Sequence, residues 1–457
     1  AITTTGNSVC QFYNLTLGNG ADAYTTSSNF TVLNDFTIGN ALATFTASAP
    51  SIITFDNSTF AGGDGAGTIT STANNAITFN SVVVAENSSI AFAGAFITNI
   101  KGDVTVGNKA TMDWTGANTT ANFSTATTKN IYNYGTLTFY DFTVASTAGN
   151  VVQTESDFTV NDIFTVGANG QFVASGNSTV TLALAGVSPV NTTQANLKFQ
   201  NVKFTAAAVP ASPYVVKGDF ICNAAYDATA GDVLFQGTSQ QTIKGSTAPK
   251  FWTITLNNAA GLKLEQNIEL QQTGATVLTL TTGSIDLNGN HSILLSGNAP
   301  VISEDYDNGY LVTNSSETPG YIEYNDAGDA GLIASVTGSG IGISSITAAG
   351  DDNAIADIIA RRYVAAKYID GVKTVNRYYY ILPDDGAGTD AITDISLEYS
   401  TSELNGNTED NLSGYLVANS VSNPTTITGD RTTGWESVGG TVTAAVSPST
   451  LGSLAIS

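Results

Sequence analysis

Phe139-Tyr-Asp-Phe-Thr-Val144 and Asp162-Ile-Phe-Thr-Val-Gly167 are the segments that decide the fold of this chain. Each alternates apolar and polar residues, which indicates a short strand with one buried face. Each is bordered by Gly, Asn or Asp, the residues that favour a change of chain direction. Such a strand cannot bury its apolar face alone, so neighbouring strands must cover it.

Both segments recur along the first 300 residues. The first, called here the first anchor, also occurs as Phe12-Tyr-Asn-Leu-Thr-Leu17, Phe79-Asn-Ser-Val-Val-Val84, Phe199-Gln-Asn-Val-Lys-Phe204 and Phe251-Trp-Thr-Ile-Thr-Leu256. The second anchor follows each time, as Asn34-Asp-Phe-Thr-Ile-Gly39, Gly102-Asp-Val-Thr-Val-Gly107, Gly218-Asp-Phe-Ile-Cys222 and Gln266-Asn-Ile-Glu-Leu270. Repeats that cannot close a core of their own stack on one another and share one.

The repeats predict an all-β protein. Residues 1–300 are expected to form a right-handed parallel β-helix, or solenoid, of five repeat units with about 22 residues in each coil. The alternative is a row of five small β-sandwiches. Domains of that size are marginal without disulfides or metals, so the solenoid is favoured.

The repeat pattern stops near residue 300. Residues 301–335 are predicted to be a cap or transition, and residues 336–457 a small immunoglobulin-like β-sandwich. Its predicted strands are residues 375–382, 392–399, 413–418, 435–438 and 441–446. One stretch is ambiguous, because Asp351 could begin a helix with one apolar face formed by Ile355, Ile358, Ile359, Tyr363 and Ala366.

The charge of the chain restricts its partners. With 38 acidic and 15 basic residues, the formal net charge is −23. Such a chain repels phosphate backbones and anionic lipids, so nucleic acid and membrane surfaces are poor partners. No run of 18 apolar residues exists, so membrane insertion is not expected either. One histidine and two distant cysteines, Cys10 and Cys222, cannot form a zinc site or a disulfide framework, and both thiols are expected to be free.

Two loops rich in acid and glycine are candidate Ca²⁺ sites, because calcium prefers six to eight oxygen ligands from flexible loops. The first loop contributes Asp305, Asp307 and Asn308. The second contributes Asp384, Asp385 and Asp390. Solvated acidic turns have the same composition, and no other cofactor is expected.

The tail resembles a known module. Asn376-Arg-Tyr-Tyr-Tyr-Ile-Leu-Pro383, Ile395-Ser-Leu-Glu-Tyr399 and Trp435-Glu-Ser-Val-Gly439 are similar to a recurring β-sandwich of secreted Bacteroidetes-type surface proteins, many of them type IX secretion substrates. The sequence pattern of the two anchors also resembles repeats of the same proteins. The resemblance implies an extracellular, cell-surface location. It also implies a strand around residues 355–362, and we favour that strand over the helix.

These observations predict a structural or adhesive surface protein, a filament or stalk subunit without catalytic activity. Its expected partner is itself, in a head-to-tail polymer. The strand inserted into the neighbour would be residues 1–6, from Ala1 to Gly6, or residues 449–457, from Ser449 to Ser457.

Two alternatives stay open. One is an adhesin that binds glycans and calcium. The other is a carbohydrate-active enzyme on the solenoid. The enzyme is disfavoured because residues 1–300 hold nine lysines and no arginine, whereas polysaccharide lyases need a basic residue and positive charge to stabilise an enolate.

Overall fold

The structure is a computed structural model of the 457-residue chain. It describes residues 10–17, 23–38, 44–47, 51–56, 67–71, 77–116, 118–183, 186–273, 276–296, 300–304, 307–313, 319–327, 343–349, 357–365, 368–369, 372–373, 375–383, 391–400, 403–406, 414–418, 421–423, 435–440 and 453–456. The chain divides into two compact units, Ala1–Gly231 and Asp232–Ser457.

The first unit is a parallel β-solenoid, as the repeats predicted. Eight coils contribute short strands to three sheets, the next two contribute to two sheets, and strands of successive coils pair in parallel. Sheet 1 contains Cys10–Phe12, Phe30–Val32, Ile52–Phe55, Ser81–Val84, Val104–Val106, Thr128–Asn133, Val151–Thr154, Gln171–Ala174, Leu197–Phe199 and Tyr214–Val216. Sheet 2 contains Leu15–Leu17, Phe36–Ile38, Gly67–Ser71, Ser89–Ala93, Thr111–Asp113, Thr136–Phe139, Phe158–Val160, Thr179–Leu182, Asn201–Phe204 and Phe220–Cys222.

Sheet 3 completes the coil. It contains Ala23–Thr26, Thr44–Ala47, Ile77–Phe79, Ile97–Ile100, Thr120–Phe123, Asp141–Val144, Phe164–Val166 and Val190–Asn191. A 3₁₀ turn, Gln194–Asn196, follows the last strand of sheet 3. Cys10 and Cys222 are free thiols, as expected.

The two anchors of the repeat are neighbours in successive coils. The first anchor forms a corner between two strands. In the first four copies the second anchor lies beside the strand after the corner, whereas in the fifth copy Phe251, before the corner, pairs with Leu270. The parallel registers are Leu15↔Phe36, Val82↔Val104, Phe142↔Phe164 and Val202↔Phe220. Two of these pairs lie 22 positions apart, which confirms the predicted coil length.

The anchors do not mark one fixed corner of the solenoid. Phe79 ends a sheet 3 strand, Phe139 ends a sheet 2 strand and Phe199 ends a sheet 1 strand. The repeat spacing is therefore not a whole number of coils. The sequence repeats the local chemistry of a corner and not a position around the coil.

In the first four copies of the first anchor, the third residue links one coil to the next. Its side-chain oxygen accepts a hydrogen bond from a backbone N–H at the corner of the following coil. We call these residues the corner acceptors: Asn14 bonds the N–H of Asp35 at 3.1 Å, Ser81 that of Asp103 at 3.1 Å, Asp141 that of Ile163 at 3.1 Å and Asn201 that of Asp219 at 2.8 Å. They satisfy polar groups that would otherwise lose a partner where the chain turns.

The glycine that ends the second anchor is required by close approach of the preceding coil. A Cβ atom on Gly107 would lie 2.6 Å from the backbone nitrogen of Glu86. On Gly167 it would lie 2.5 Å from the backbone nitrogen of Ser146. A side chain at either position would push neighbouring coils apart, which is unfavourable because the nearest atoms are backbone atoms.

Groups of packed aromatic rings, together with aliphatic side chains, fill the interior of the first unit. The inward positions of the strands are fully buried, in the alternation that the anchors predicted. Phe142 stacks on Phe164 with ring centroids 4.7 Å apart, and Phe164 contacts Phe172 edge-to-face at 5.0 Å. Trp114 stacks on Phe92 at 3.7 Å. This burial is the main favourable term that holds the coils together.

The second unit begins with the same kind of coil. Three parallel sets of strands stack within it. They are Asp232–Phe235, Thr253–Asn257, Thr276–Thr282 and Val301–Ser303; Gln241–Gly245, Leu262–Leu264, Ile285–Asp286 and Leu311–Val312; and Lys250–Phe251, Ile268–Leu270, Ser292–Leu295 and Tyr321–Ala327. Strands on either side of residue 300 therefore belong to successive coils of the same stack.

Pairing changes from parallel to antiparallel at Tyr321–Ala327. The sheet continues in the order Asp357–Tyr363, Tyr378–Pro383, Ser453–Ile456, Gly414–Ala418 and Val421–Asn423. A separate antiparallel sheet contains Ile343–Ala349, Ala391–Ser400 and Trp435–Gly440, and a small hairpin pairs Tyr368–Ile369 with Val372–Lys373.

The described part of the ambiguous stretch, Asp357–Tyr363, is a strand. Asp357–Tyr363 pairs with strands on both sides, so the helical alternative is wrong and the strand that we favoured is confirmed. Four of the predicted tail strands have described counterparts. The fifth, residues 441–446, lies outside the described residues.

Candidate functional site

A surface groove of about 450 Å³ in the first unit combines exposed aromatic rings with polar side chains. We call it the tyrosine groove and define it by six of its residues: Asn130, Tyr132, Tyr134, Gln153, Glu155 and Ser175. They come from three successive strands of sheet 1, Thr128–Asn133, Val151–Thr154 and Gln171–Ala174, and from the corners that follow them.

Strand alternation directs the groove side chains outward. Ile131 and Thr154 are buried, so their neighbours face solvent. The parallel register sets Asn130 directly beside Gln153. Tyr132 is 41% exposed and Tyr134 is 66% exposed, whereas most of the described aromatic side chains of this unit are buried.

Asn133 holds the corner that carries Tyr134. Its side-chain oxygen accepts from the N–H of Gly135 at 3.1 Å, and its amide nitrogen donates to the carbonyl of Asp157 at 2.7 Å. The corner is thereby tied both to itself and to the next coil. Tyr134 stands on a fixed backbone.

A row of hydrogen-bonded polar side chains crosses the groove floor. Asp103 accepts from the backbone and side-chain nitrogens of Asn130, at 2.7 and 3.2 Å. Asn130 in turn accepts from the side-chain nitrogen of Gln153 at 2.8 Å. Farther along, the hydroxyl of Ser175 donates to Glu155 at 3.5 Å. These bonds orient the amide and carboxylate groups before any ligand arrives.

The lysine nearest to the groove does not face it. Lys129 is buried, and its Nζ donates to the carbonyls of Thr125 at 2.6 Å and Thr127 at 2.8 Å and to the side chain of Asn150 at 2.8 Å. Burial lowers the pKa of Lys129 to about 8, although the nearby Asp103 opposes the shift. Glu155 supplies the formal charge among the six groove residues, so the groove carries negative charge.

This arrangement suits a ligand with many hydroxyl groups and some apolar faces. Amide groups both donate and accept, carboxylates accept, and phenol rings offer apolar surface with a polar tip. The alternation of the strand predicts that Tyr132 faces outward. The flanking groups from the next two coils depend on register, which the sequence does not give.

A second cluster of charged side chains lies buried in the second unit. Arg362 Nη2 lies 2.9 Å from Glu304 Oε2, and Arg377 Nε lies 3.0 Å from Glu403 Oε1. Glu304 also accepts from the N–H of Leu311 at 3.0 Å. Burial opposes ionisation of Glu304, but Arg362 and Arg377 outweigh it and hold the pKa of this carboxyl below its usual value.

This buried cluster is structural. Glu304 directly follows the coil strand Val301–Ser303, whereas Arg362 and Arg377 belong to the antiparallel part of the same unit. Arg362 and Arg377 therefore connect the antiparallel part to the last coils through Glu304. The cluster was not predicted from the sequence. The available signal is that arginine is absent before Arg361, which indicates that the arginines serve the C-terminal part of the chain.

The predicted calcium ligands are only partly described. Asp307 and Asn308 lie in an exposed turn, where the carbonyl of Asn308 accepts from the N–H of Gly283 at 2.8 Å. Asp305, Asp384, Asp385 and Asp390 lie outside the described residues. Among the residues that are described, no group of three or more His, Cys, Asp or Glu side chains is placed to hold a metal ion. The calcium sites stay a prediction.

Comparison with known proteins adds no further assignment. No family model, curated protein or solved structure matches the chain. In the part of the chain that the structure describes, no helix is long and apolar enough to cross a membrane.

Proposed function

We propose that this chain is an extracellular structural and adhesive protein of a cell surface, a stalk or filament subunit without catalytic activity. The observation that carries the proposal is the way each coil is fixed to the next. Parallel backbone pairing, the corner acceptors and the shared aromatic core all join neighbouring coils. Such a stack resists extension because every strand is held on both sides along its length.

The composition supports a durable surface role. Charged residues are only 12% of the chain, and Thr, Asn, Ser and Gly fill turns and outward strand positions. The resemblance of the repeats and of the tail to Bacteroidetes-type surface proteins points the same way. The high negative charge keeps such a protein soluble and separate from anionic envelopes.

The hand of the solenoid and the fold of the C-terminal residues are also part of this proposal. We expect the solenoid to be right-handed, since parallel crossover connections nearly always are. We also propose that residues 336–457 form a β-sandwich after a transition at residues 301–335. The antiparallel part of the mixed sheet, which includes Asp357–Tyr363, and the separate antiparallel sheet with Ala391–Ser400 would be its two layers.

Head-to-tail assembly would use the strand Ser453–Ile456. In the single chain this strand lies between Tyr378–Pro383 and Gly414–Ala418, with Leu454 opposite Leu416. A polymer forms if the strand leaves its own sheet and fills the same place in a neighbour. Residues 1–6 are the other candidate and lie outside the described residues.

Negative-stain electron microscopy of the native protein tests this assembly, with and without a calcium chelator. We expect fibres, or separate rods if a further partner is needed. Loss of fibres on chelation would favour calcium at the junctions. A mixture of Leu454→Cys and Leu416→Cys chains should form a disulfide between chains if the strand is exchanged. Compact particles that do not assemble and no cross-linked product would contradict the proposal.

A further inference from the structure

We propose that the tyrosine groove is a binding site for a neutral or amino-sugar oligosaccharide. Tyr132 and Tyr134 are the first reason. In a unit whose aromatic rings mostly fill the core, these two stand on outward positions of one strand and its corner, 41% and 66% exposed. A phenol ring offers an apolar face to the C–H groups of a sugar ring and a hydroxyl to its polar edge.

The fixed polar row is the second reason. Asn130 and Gln153 are oriented by bonds of 2.7 to 3.2 Å that begin at Asp103. Each amide keeps further capacity to donate or accept, which a sugar hydroxyl can use in either sense. Because these groups are already ordered, a ligand would not bear the cost of ordering them.

The size and negative charge of the groove indicate which class of ligand it would bind. A groove of about 450 Å³ falls in the usual range of small-ligand sites and accommodates a short oligosaccharide. Glu155 and the nearby Asp103 repel uronic acids and sulfated sugars, and the net charge of −23 adds to the repulsion. An amino sugar gains from Glu155 and from the faces of the tyrosine rings.

Titration calorimetry on the full chain tests the site. The probes are hexasaccharides of glucose, mannose, N-acetylglucosamine and glucosamine, with hexagalacturonate as the acidic comparison. We expect at least one neutral or glucosamine probe to bind and hexagalacturonate not to bind. Tyr134→Ala should weaken binding about tenfold or more, the effect of losing an aromatic anchor. Tyr13→Ala is the matched control, because Tyr13 is 51% exposed and lies outside the groove.

Two further variants separate the contributions. Gln153→Ala should weaken every probe that binds, because the polar row loses a member. Glu155→Gln keeps an acceptor for Ser175 and should reduce glucosamine binding while sparing the neutral probes. The proposal is overturned if no neutral or glucosamine probe binds, if hexagalacturonate binds best, or if Tyr134→Ala binds as the parent does.

The site does not depend on the stalk or filament role. Tyr134→Ala should leave the fibres or rods seen by electron microscopy unchanged. If it abolishes assembly and no sugar binds, the groove is a contact between copies of the chain and the sugar site is refuted. A failure of assembly with intact sugar binding would instead refute only the filament.

Discussion

The corner acceptors give the sharpest prediction about stability. Asn201→Ala removes the acceptor of the Asp219 N–H at 2.8 Å and the two donations to the carbonyls of Ser178 and Asn177 at 3.2 and 3.3 Å. Leaving one N–H without a partner costs roughly 1–3 kcal/mol, and lost neutral hydrogen bonds add about 1 kcal/mol. We therefore expect the free energy of unfolding to fall by about 2–4 kcal/mol.

Chemical denaturation and hydrogen exchange together measure this loss. The midpoint of guanidinium unfolding should decrease for Asn201→Ala at unchanged slope. The backbone amide of Asp219 should exchange faster, whereas amides distant from the corner keep their protection. Asn177→Ala, an exposed asparagine of the same turn region, is the control. Asn201→Ser should recover part of the loss, because Ser81 performs the same task at another corner. An unchanged midpoint with a protected Asp219 amide would refute the role of the corner acceptors.

Three other perturbations follow from the packing and the buried charges. Gly167→Ala should lower the denaturation midpoint, because its Cβ would meet the Ser146 backbone at 2.5 Å and overpacking costs about 1–3 kcal/mol. The pKa of Glu304 is lowered in the folded chain, so its stabilising effect is present above the usual carboxyl range and is lost as pH falls through the folded value. Glu304→Gln should lower stability at neutral pH and flatten that acid dependence in denaturation series from pH 3 to 7, roughly the range in which carboxyls titrate. The pKa of Lys129 is lowered to about 8 in the folded chain, from the usual lysine value of 10.5. Between these two pH values the unfolded chain binds more protons than the folded chain, so the free energy of unfolding of the parent, relative to that of Lys129→Met, should rise with pH. A pH-independent difference between those two chains would contradict the burial of the amine.

The alternation of apolar and polar residues within each strand could be predicted from the sequence. Phe142, Thr143 and Val144 show the strand and its buried face directly, and the distance between the two anchors shows the coil length. The terminal Gly of the second anchor also has a local signal, because only glycine permits the close approach at Gly167. These features are repeated, so each copy supports the interpretation of the others.

Features that depend on register or on distant strands could not be predicted. Phe79 and Phe139 have the same local sequence signature yet end strands of different sheets, since a corner has the same chemistry wherever it lies on the coil. The polar row of the tyrosine groove joins Asn130 to Gln153, which requires the pairing of two coils. The pair Arg362–Glu304 likewise exists only because the antiparallel strand Asp357–Tyr363 packs near the end of the coil strand Val301–Ser303.

The proposed location on an extracellular surface can be examined by immunogold electron microscopy of intact producing cells, with an antibody against a segment of the first unit such as residues 124–150. We expect label on cells that have not been permeabilised, outside the envelope, along fibres or at a constant distance from the cell. Label that appears only after permeabilisation would contradict that location.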